Sequence, residues 1–155
     1  MKPFFQFAVI AGIAGAAAGS TYWVKGPPVR RLVCDPSTLK ADERCLQEIS
    51  ANEPILWVDA RSRKDWEKSG VEGSVLWNLD PTENMQSFES EIASRLMDVR
   101  GVVVYCGDEN CGVSRQVAAR IRALGLADEV WVLRGGWRAL HEAGRTRDSS
   151  PATSD

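Results

Sequence analysis

The sequence has little of what marks nucleic-acid-binding, metal-binding or disulfide-rich proteins. Its 19 Lys and Arg residues are outnumbered by 21 Asp and Glu, for a formal net charge of −2. Without a basic excess there is no electrostatic basis for binding nucleic acid. The four cysteines form no C-x2-C pair, are too few for a disulfide scaffold, and share the chain with a single histidine. We therefore predict no metal site and no cofactor.

Charged residues are also missing from Pro3 to Val24. At about 1.5 Å per helical residue, this segment reaches roughly the 30 Å of a bilayer core. Residues 1–25 are therefore predicted to attach the protein to a membrane as a single transmembrane helix. A cleaved signal peptide is the alternative, because Ala16-Ala17-Ala18 resembles a cleavage site.

Residues 26–53 are predicted to be a linker, with one short helix around residues 41–49. Cys34 and Cys45 stand eleven residues apart in this polar segment, where a disulfide would suit an oxidising compartment. Counting the basic residues on each side of the predicted span slightly favours a cytoplasmic soluble domain, whereas its resemblance to a signal sequence favours the opposite orientation. The cysteine pair favours an extracytoplasmic, periplasmic location for the soluble domain.

From residue 54 onward, short apolar runs alternate with segments of helical periodicity. This alternation predicts a three-layer α/β/α domain over residues 54–144, with a mostly parallel central sheet. The polar residues 145–155 are predicted to form a disordered tail. Predicted strands are 55–58, 75–79, 102–105 and 130–133, and predicted helices begin near residues 62, 85, 114 and 137.

One stretch combines a buried strand with a reactive side chain. The run Val102–Tyr105 ends at Cys106, and a polar loop bounded by Gly107 and Gly112 leads into a helical pattern. Backbone N–H groups and a helix N-terminus lower the pKa of a thiol placed there, which favours the thiolate nucleophile. The alternative is that Cys106 is only a small buried hydrophobic residue.

Two other predicted strands end in polar groups, at Asp59–Arg61 and at Arg134-Gly135-Gly136. The carboxyl ends of parallel strands meet at one edge of a sheet, which is where such folds bind their ligands. We therefore expect these groups to lie near Cys106, so that the three strand ends share one site.

These residues together resemble the rhodanese-like domain family of single-domain sulfurtransferases, over roughly residues 54–144. The resemblance is carried by Val58-Asp59-Ala60-Arg61, by Val103-Val104-Tyr105-Cys106, by the helix 114–124, and by Val130-x-x-Leu133-x-Gly135-Gly136-Trp137. It implies that Cys106 takes sulfur from a small donor, holds it as a persulfide, and passes it to a thiol acceptor.

The resemblance also implies roles for the residues around the cysteine. Asp59 and Arg61 would support the strand ends by pairing. An anion cradle would follow Cys106, formed by Gly107, Asp108, Glu109, Asn110, Cys111, Gly112, Ser114 and Arg115.

The loop departs from the family pattern in three ways. Ser114 follows Cys106 by eight positions rather than six, and Asp108 and Glu109 add negative charge that would repel an anionic donor. A separate observation concerns related activities of this fold. Phosphatases and arsenate reductases need an arginine six positions after the cysteine, and this chain has Gly112 there, which argues against those activities. Cys111 is the third departure. It could resolve a persulfide or sulfenate on Cys106 as a disulfide, and the alternative is that it is a buried residue at the start of the helix.

Three functions therefore remain open from the sequence: sulfur transfer, thiol–disulfide exchange through Cys106 and Cys111, and a non-catalytic binding module. The sequence does not determine the sulfur donor, the acceptor or the oligomeric state.

Overall fold

The computed structural model describes residues 34–107 and 112–148. The predicted membrane anchor lies outside these residues. No helix within the two described ranges is long and apolar enough to cross a membrane.

Five parallel strands form the central sheet, in the order β1-β5-β4-β2-β3. The strands are β1 (Glu43–Arg44), β2 (Ile55–Asp59), β3 (Val75–Leu76), β4 (Gly101–Tyr105) and β5 (Val130–Leu133). The helices are α1 (Arg63–Ser69), α2 (Met85–Arg95), α3 (Gly112–Ala123) and α4 (Gly136–Glu142). The predicted α/β fold with a parallel sheet is confirmed.

Apolar side chains pack on both faces of the sheet, as expected for parallel strands. On the first face, Val102 and Val104 of β4 join a cluster that includes Phe88 of α2 and Val117 of α3. On the second face, the alternate residues of β4 pack with Leu140 of α4. All five residues of β4 are buried, and β4 is the middle strand of the sheet, so the strand that leads to Cys106 lies in the interior of the fold.

Local sequence signals account for several element boundaries. Ser62 caps α1 by accepting a hydrogen bond from the Asp65 backbone N–H, and Asn84 caps α2 in the same way. Between β5 and α4 the chain reverses at Gly135 and Gly136, whose φ angles of 82° and 54° fall in the left-handed region. These glycines therefore set the start of α4 against the end of β5.

The segment predicted as a linker contributes a strand to the sheet. The predicted helix around 41–49 is wrong: the structure has β1 there, followed by a 3-10 turn at Leu46–Glu48. A two-residue strand is too short to show an alternating pattern, and β1 depends on pairing with the distant β5, where Glu43 is in register with Val132.

The first residues of the predicted disordered tail are also ordered. Thr146 forms an antiparallel bridge with Val71, and the Arg147 backbone N–H donates to the Gly70 carbonyl at 3.1 Å. The prediction of disorder is therefore wrong for residues 145–148, because backbone hydrogen bonds to a distant segment of the chain hold them in place. Residues 149–155 lie outside the described part of the chain.

Candidate functional site

Cys106 lies at the carboxyl edge of the sheet, directly after β4, and is 2% exposed. The neighbouring backbone is held on two sides. The Ala60 N–H, after β2, donates to the Tyr105 carbonyl at 2.8 Å, and the Trp137 N–H in the first turn of α4 donates to the Cys106 carbonyl. These bonds fix the direction in which the chain leaves the strand.

The Cys106 sulfur contacts the first turn of α3. Its Sγ lies 3.4 Å from the Ser114 hydroxyl oxygen, and Ser114 is itself 2% exposed. A hydroxyl can donate its proton to an anionic sulfur, and the N-terminal end of a helix favours negative charge. The contact is therefore suited to stabilising a thiolate or a persulfide anion.

Cys106 is disulfide-bonded in this structure. A disulfide sulfur is not a nucleophile, so chemistry at Cys106 requires that this bond first be reduced.

The structure brings together only part of the predicted cradle. Gly107 and Gly112 are exposed on either side of the loop, Ser114 contacts the sulfur, and Arg115 projects from α3 with its side chain 30% exposed. Asp108, Glu109, Asn110 and Cys111 lie outside the described residues.

Asp59 and Arg61 form a buried ion pair beside the site. The Arg61 Nε and Nη2 atoms donate to the two carboxylate oxygens of Asp59 at 3.0 and 2.8 Å, and the Arg61 backbone N–H donates to Oδ1 at 2.9 Å. The guanidinium carbon lies 5.0 Å from the centre of the Trp137 ring. The pair therefore links the end of β2 to the start of α4, the helix that bonds the Cys106 carbonyl.

Tyr105, the residue before Cys106, extends this network on the second face. Its hydroxyl donates to Ser74 Oγ at 3.4 Å and accepts from the Val71 N–H at 3.0 Å. Burial raises the pKa of Tyr105, and the neighbouring Asp59 carboxylate raises it further. The phenol therefore stays neutral and acts as a structural contact.

A second charged group was not identified as a unit from the sequence. Glu43 of β1, whose side chain is 2% exposed, lies between Arg115 of α3 and Arg134 after β5, with N–O distances of 3.6 and 3.7 Å. This group could not be predicted from the sequence, because its three residues are widely separated along the chain and belong to different elements. We call Glu43, Arg115 and Arg134 the arginine cluster.

Cys34 and Cys45 are joined by a disulfide. Cys45 is fully buried and follows β1 directly, so this bond ties the segment before the sheet to its edge strand. Within residues 34–107 and 112–148, no group of three or more His, Cys, Asp or Glu side chains is arranged to hold a metal ion.

Comparison with known proteins places this geometry in a family. The family model of the rhodanese-like domain matches residues 42–143, which confirms the resemblance seen in the sequence and extends it to β1. No curated protein gave a match.

Among solved structures, a thiosulfate sulfurtransferase from Pseudomonas aeruginosa is similar, with a TM-score of 0.51 and 22% identity. The match covers 72% of this chain but 21% of that one. The BH2092 protein from Bacillus halodurans also matches, with a TM-score of 0.47 and 23% identity over 67% of this chain and 71% of that chain. An As-Sb reductase from Leishmania major matches at 0.46 and 19% identity over 60% and 70%.

Proposed function

Because this chain belongs to the rhodanese-like domain family, we propose that it is a sulfurtransferase that carries sulfane sulfur as a persulfide on Cys106. The observation that best supports this is the contact between the Cys106 sulfur and the Ser114 hydroxyl, 3.4 Å apart at the start of a twelve-residue helix. The helix terminus and the hydroxyl favour the anionic sulfur that both half-reactions need.

The proposed reaction has two steps. In the first, the reduced Cys106 thiolate attacks the outer sulfur of a donor such as thiosulfate, the donor S–S bond breaks, and sulfite leaves with the bonding electron pair. In the second, an acceptor thiolate or cyanide attacks the outer sulfur of the Cys106 persulfide, and the Cys106 thiolate leaves. The net change is transfer of one sulfur atom, without an external oxidant.

Intact mass of the full chain in detergent tests this proposal. The protein is reduced, the reductant is removed, and thiosulfate or glutathione persulfide is added. We expect a gain of about 32 Da on a single cysteine, which Cys106→Ser abolishes and cyanide or a thiol reverses. Cys111→Ser is the matched control and should keep the gain. Failure of the reduced wild-type protein to gain sulfur from either donor contradicts the proposal and favours a non-catalytic binding module.

A second candidate function, thiol–disulfide exchange, is favoured by the disulfide-bonded state of Cys106. The chain has four cysteines, and Cys34 and Cys45 are joined to each other. Cys111 is therefore the candidate for the resolving cysteine. In such a reaction two thiols pass two electrons and two protons to a disulfide substrate. Cys111→Ser should abolish turnover of that reaction while leaving sulfur transfer intact.

We also propose that residues 1–25 tether the domain to a membrane and that the domain is extracytoplasmic. The support is the uncharged run Pro3–Val24 together with the Cys34–Cys45 disulfide, which suits an oxidising compartment. Carbonate-resistant membrane association, with Cys34 and Cys45 protected from alkylation before reduction, is the expected result. Release by carbonate or free thiols at both positions in intact cells contradicts it.

A further inference from the structure

Residues 145–148, which we call the strap, fold back from α4 onto the end of α1. The Arg145 N–H donates to the Leu140 carbonyl of α4 at 2.9 Å, and Thr146 then forms its bridge with Val71. Thr146 is 2% exposed. The strap is therefore packed into the fold, although its polar composition is that of a surface tail.

The strap supplies hydrogen-bond donors to the carboxyl end of α1, where the last carbonyls of a helix have no partner within the helix. Arg147 Nη2 donates to the Trp66 carbonyl, and the Arg147 Nε and backbone N–H donate to the Gly70 carbonyl at 3.3 and 3.1 Å. The guanidinium carbon lies 5.4 Å from the centre of the Trp66 ring. Gly70 permits this approach, because a Cβ there would lie 2.8 Å from Arg147 Nη2.

The strap also contacts the side chains of α4. The Thr146 hydroxyl donates to Asp148 Oδ1 at 2.7 Å, and His141 Nδ1 lies 3.1 Å from the same hydroxyl oxygen. The His141 ring in turn stacks on the Trp137 ring, with 4.7 Å between the ring centres. These contacts connect the strap to the residue whose backbone N–H binds the Cys106 carbonyl.

The segment of α1 that the strap holds is bonded to two residues at the Cys106 site. The Ser69 carbonyl accepts from Trp137 Nε1 at 2.8 Å, and the Trp137 backbone N–H donates to the Cys106 carbonyl. The Val71 N–H donates at 3.0 Å to the hydroxyl of Tyr105, the residue before Cys106. The residue before Cys106 and the Cys106 carbonyl are therefore both tied to the segment that the strap braces.

We propose that the strap positions the Cys106 sulfur for reaction, with Arg147 as its positioning residue. This inference rests on the proposed sulfur transfer and adds to it a residue remote from the strand ends. The direction in which the chain leaves β4 decides how closely the sulfur approaches the Ser114 hydroxyl, now 3.4 Å away, and the N-terminal end of α3. That contact favours the thiolate. Loss of the strap lets the end of α1 and the start of α4 shift, which lengthens the contact and weakens this stabilisation.

The pH dependence of Cys106 alkylation tests the strap, because the midpoint of that profile reports how strongly the thiolate is stabilised. It is measured on the reduced full chain in detergent, in a Cys111→Ser background, by peptide mass. Arg147→Ala should move the midpoint up by about half a pH unit, which lowers the thiolate fraction below the midpoint about threefold. Persulfide formation from thiosulfate should slow about twofold or more at the same pH.

Further variants separate positioning from charge and from folding. Gly70→Ala keeps the charge of Arg147 but forces its guanidinium away from the helix end, so it should move the midpoint in the same direction. Arg147→Lys keeps the charge without the forked donors and should restore only part of the change. Arg138→Ala is the matched control, because Arg138 is 55% exposed on α4 and pairs with Glu142; its midpoint should equal that of the unmodified chain.

Two truncations test the strap as a whole. Ending the chain after Gly144 removes the strap and should match Arg147→Ala in both measurements. Ending it after Asp148 removes only residues 149–155 and should leave the midpoint and the rate unchanged. Urea denaturation of each variant establishes that the alkylation profile is recorded on folded protein.

The two proposals fail in different ways. If the wild-type protein forms no persulfide while Arg147→Ala still moves the alkylation midpoint, sulfur transfer is overturned and the positioning role stands. If persulfide forms and Arg147→Ala lowers the free energy of unfolding without moving the midpoint, the strap only stabilises the fold and the inference is overturned. Arg147→Lys, the mildest change, decides the question if the alanine variant does not fold: an unchanged midpoint overturns the inference.

Discussion

Two groups of charged side chains lie on opposite faces of the sheet, and they differ in how completely their charges are satisfied. Asp59 is in register with Tyr105 on the second face, and its fully buried carboxylate receives three hydrogen bonds from Arg61 at 2.8–3.0 Å within one short stretch of chain. Glu43 is in register with Val132 on the first face and faces two half-buried arginines at 3.6 and 3.7 Å. The first group is closed and stabilises the fold. The second is open to solvent, because the Arg115 and Arg134 side chains are 30% and 31% exposed.

The closed pair should give the largest loss of stability when its charge is removed. Asp59→Asn keeps the size of the side chain but leaves the Arg61 guanidinium, whose side chain is 9% exposed, without a compensating charge. We expect the free energy of unfolding to fall by about 3–5 kcal/mol, as when one partner of a buried ion pair is removed. Urea denaturation of the full chain in detergent measures the change. A loss below about 1 kcal/mol would mean that this pair contributes no more to stability than a surface salt bridge does.

The open cluster depends on an edge strand that the Cys34–Cys45 disulfide secures. Replacing both cysteines by serine, in a Cys106→Ser/Cys111→Ser background, should lower the free energy of unfolding by about 3 kcal/mol, because the disulfide closes a loop of eleven residues' separation. Hydrogen exchange supplies a local test. The amides of Val132 and Arg134, which donate to the carbonyls of Asp42 and Arg44, should exchange faster, and those of β2 should not.

Reducing the disulfide in the same background is the control for this second prediction. It should match the double serine variant in both measurements. Equal stability of the oxidised and reduced forms would show that β1 is held by its strand pairing and packing alone.

The two groups also differ in how well they could be predicted from the sequence, because their residues lie at different separations along the chain. Asp59 and Arg61 are two residues apart after an apolar strand, so their pairing follows from local geometry. Glu43 reaches its partners only because β1 pairs with β5, a contact between segments almost ninety residues apart. Long apolar runs such as Val102–Tyr105 predict their strands directly, whereas a two-residue edge strand leaves no periodicity to detect.

Glu43→Gln is the matched substitution in the open cluster and should cost far less than Asp59→Asn. Its two arginines are each about 30% exposed, so water stabilises them when the carboxylate is removed, and glutamine can still accept from the Lys40 N–H. We expect a loss of about 1 kcal/mol or less in the same urea experiment. Equal losses for the two substitutions would mean that the arginine cluster is as closed as the Asp59 pair.

The smallest effect is expected at a third ion pair, which combines good geometry with exposure to solvent. Arg63 Nε and Nη2 donate to the two carboxylate oxygens of Glu83 at 2.9 and 2.7 Å, and these hydrogen bonds hold the pKa of Glu83 below its ordinary value. A lowered carboxyl pKa stabilises the fold at neutral pH, and that contribution is lost as the pH falls through the folded-state pKa. Arg63→Gln should raise the pKa of Glu83 toward that of a free carboxyl group, as followed by carboxyl NMR shifts, with little change in stability at neutral pH. If the pKa of Glu83 does not change, short hydrogen bonds do not by themselves make an ion pair stabilising. The contribution of each of the three ion pairs to stability would then depend on burial, which is greatest for Asp59.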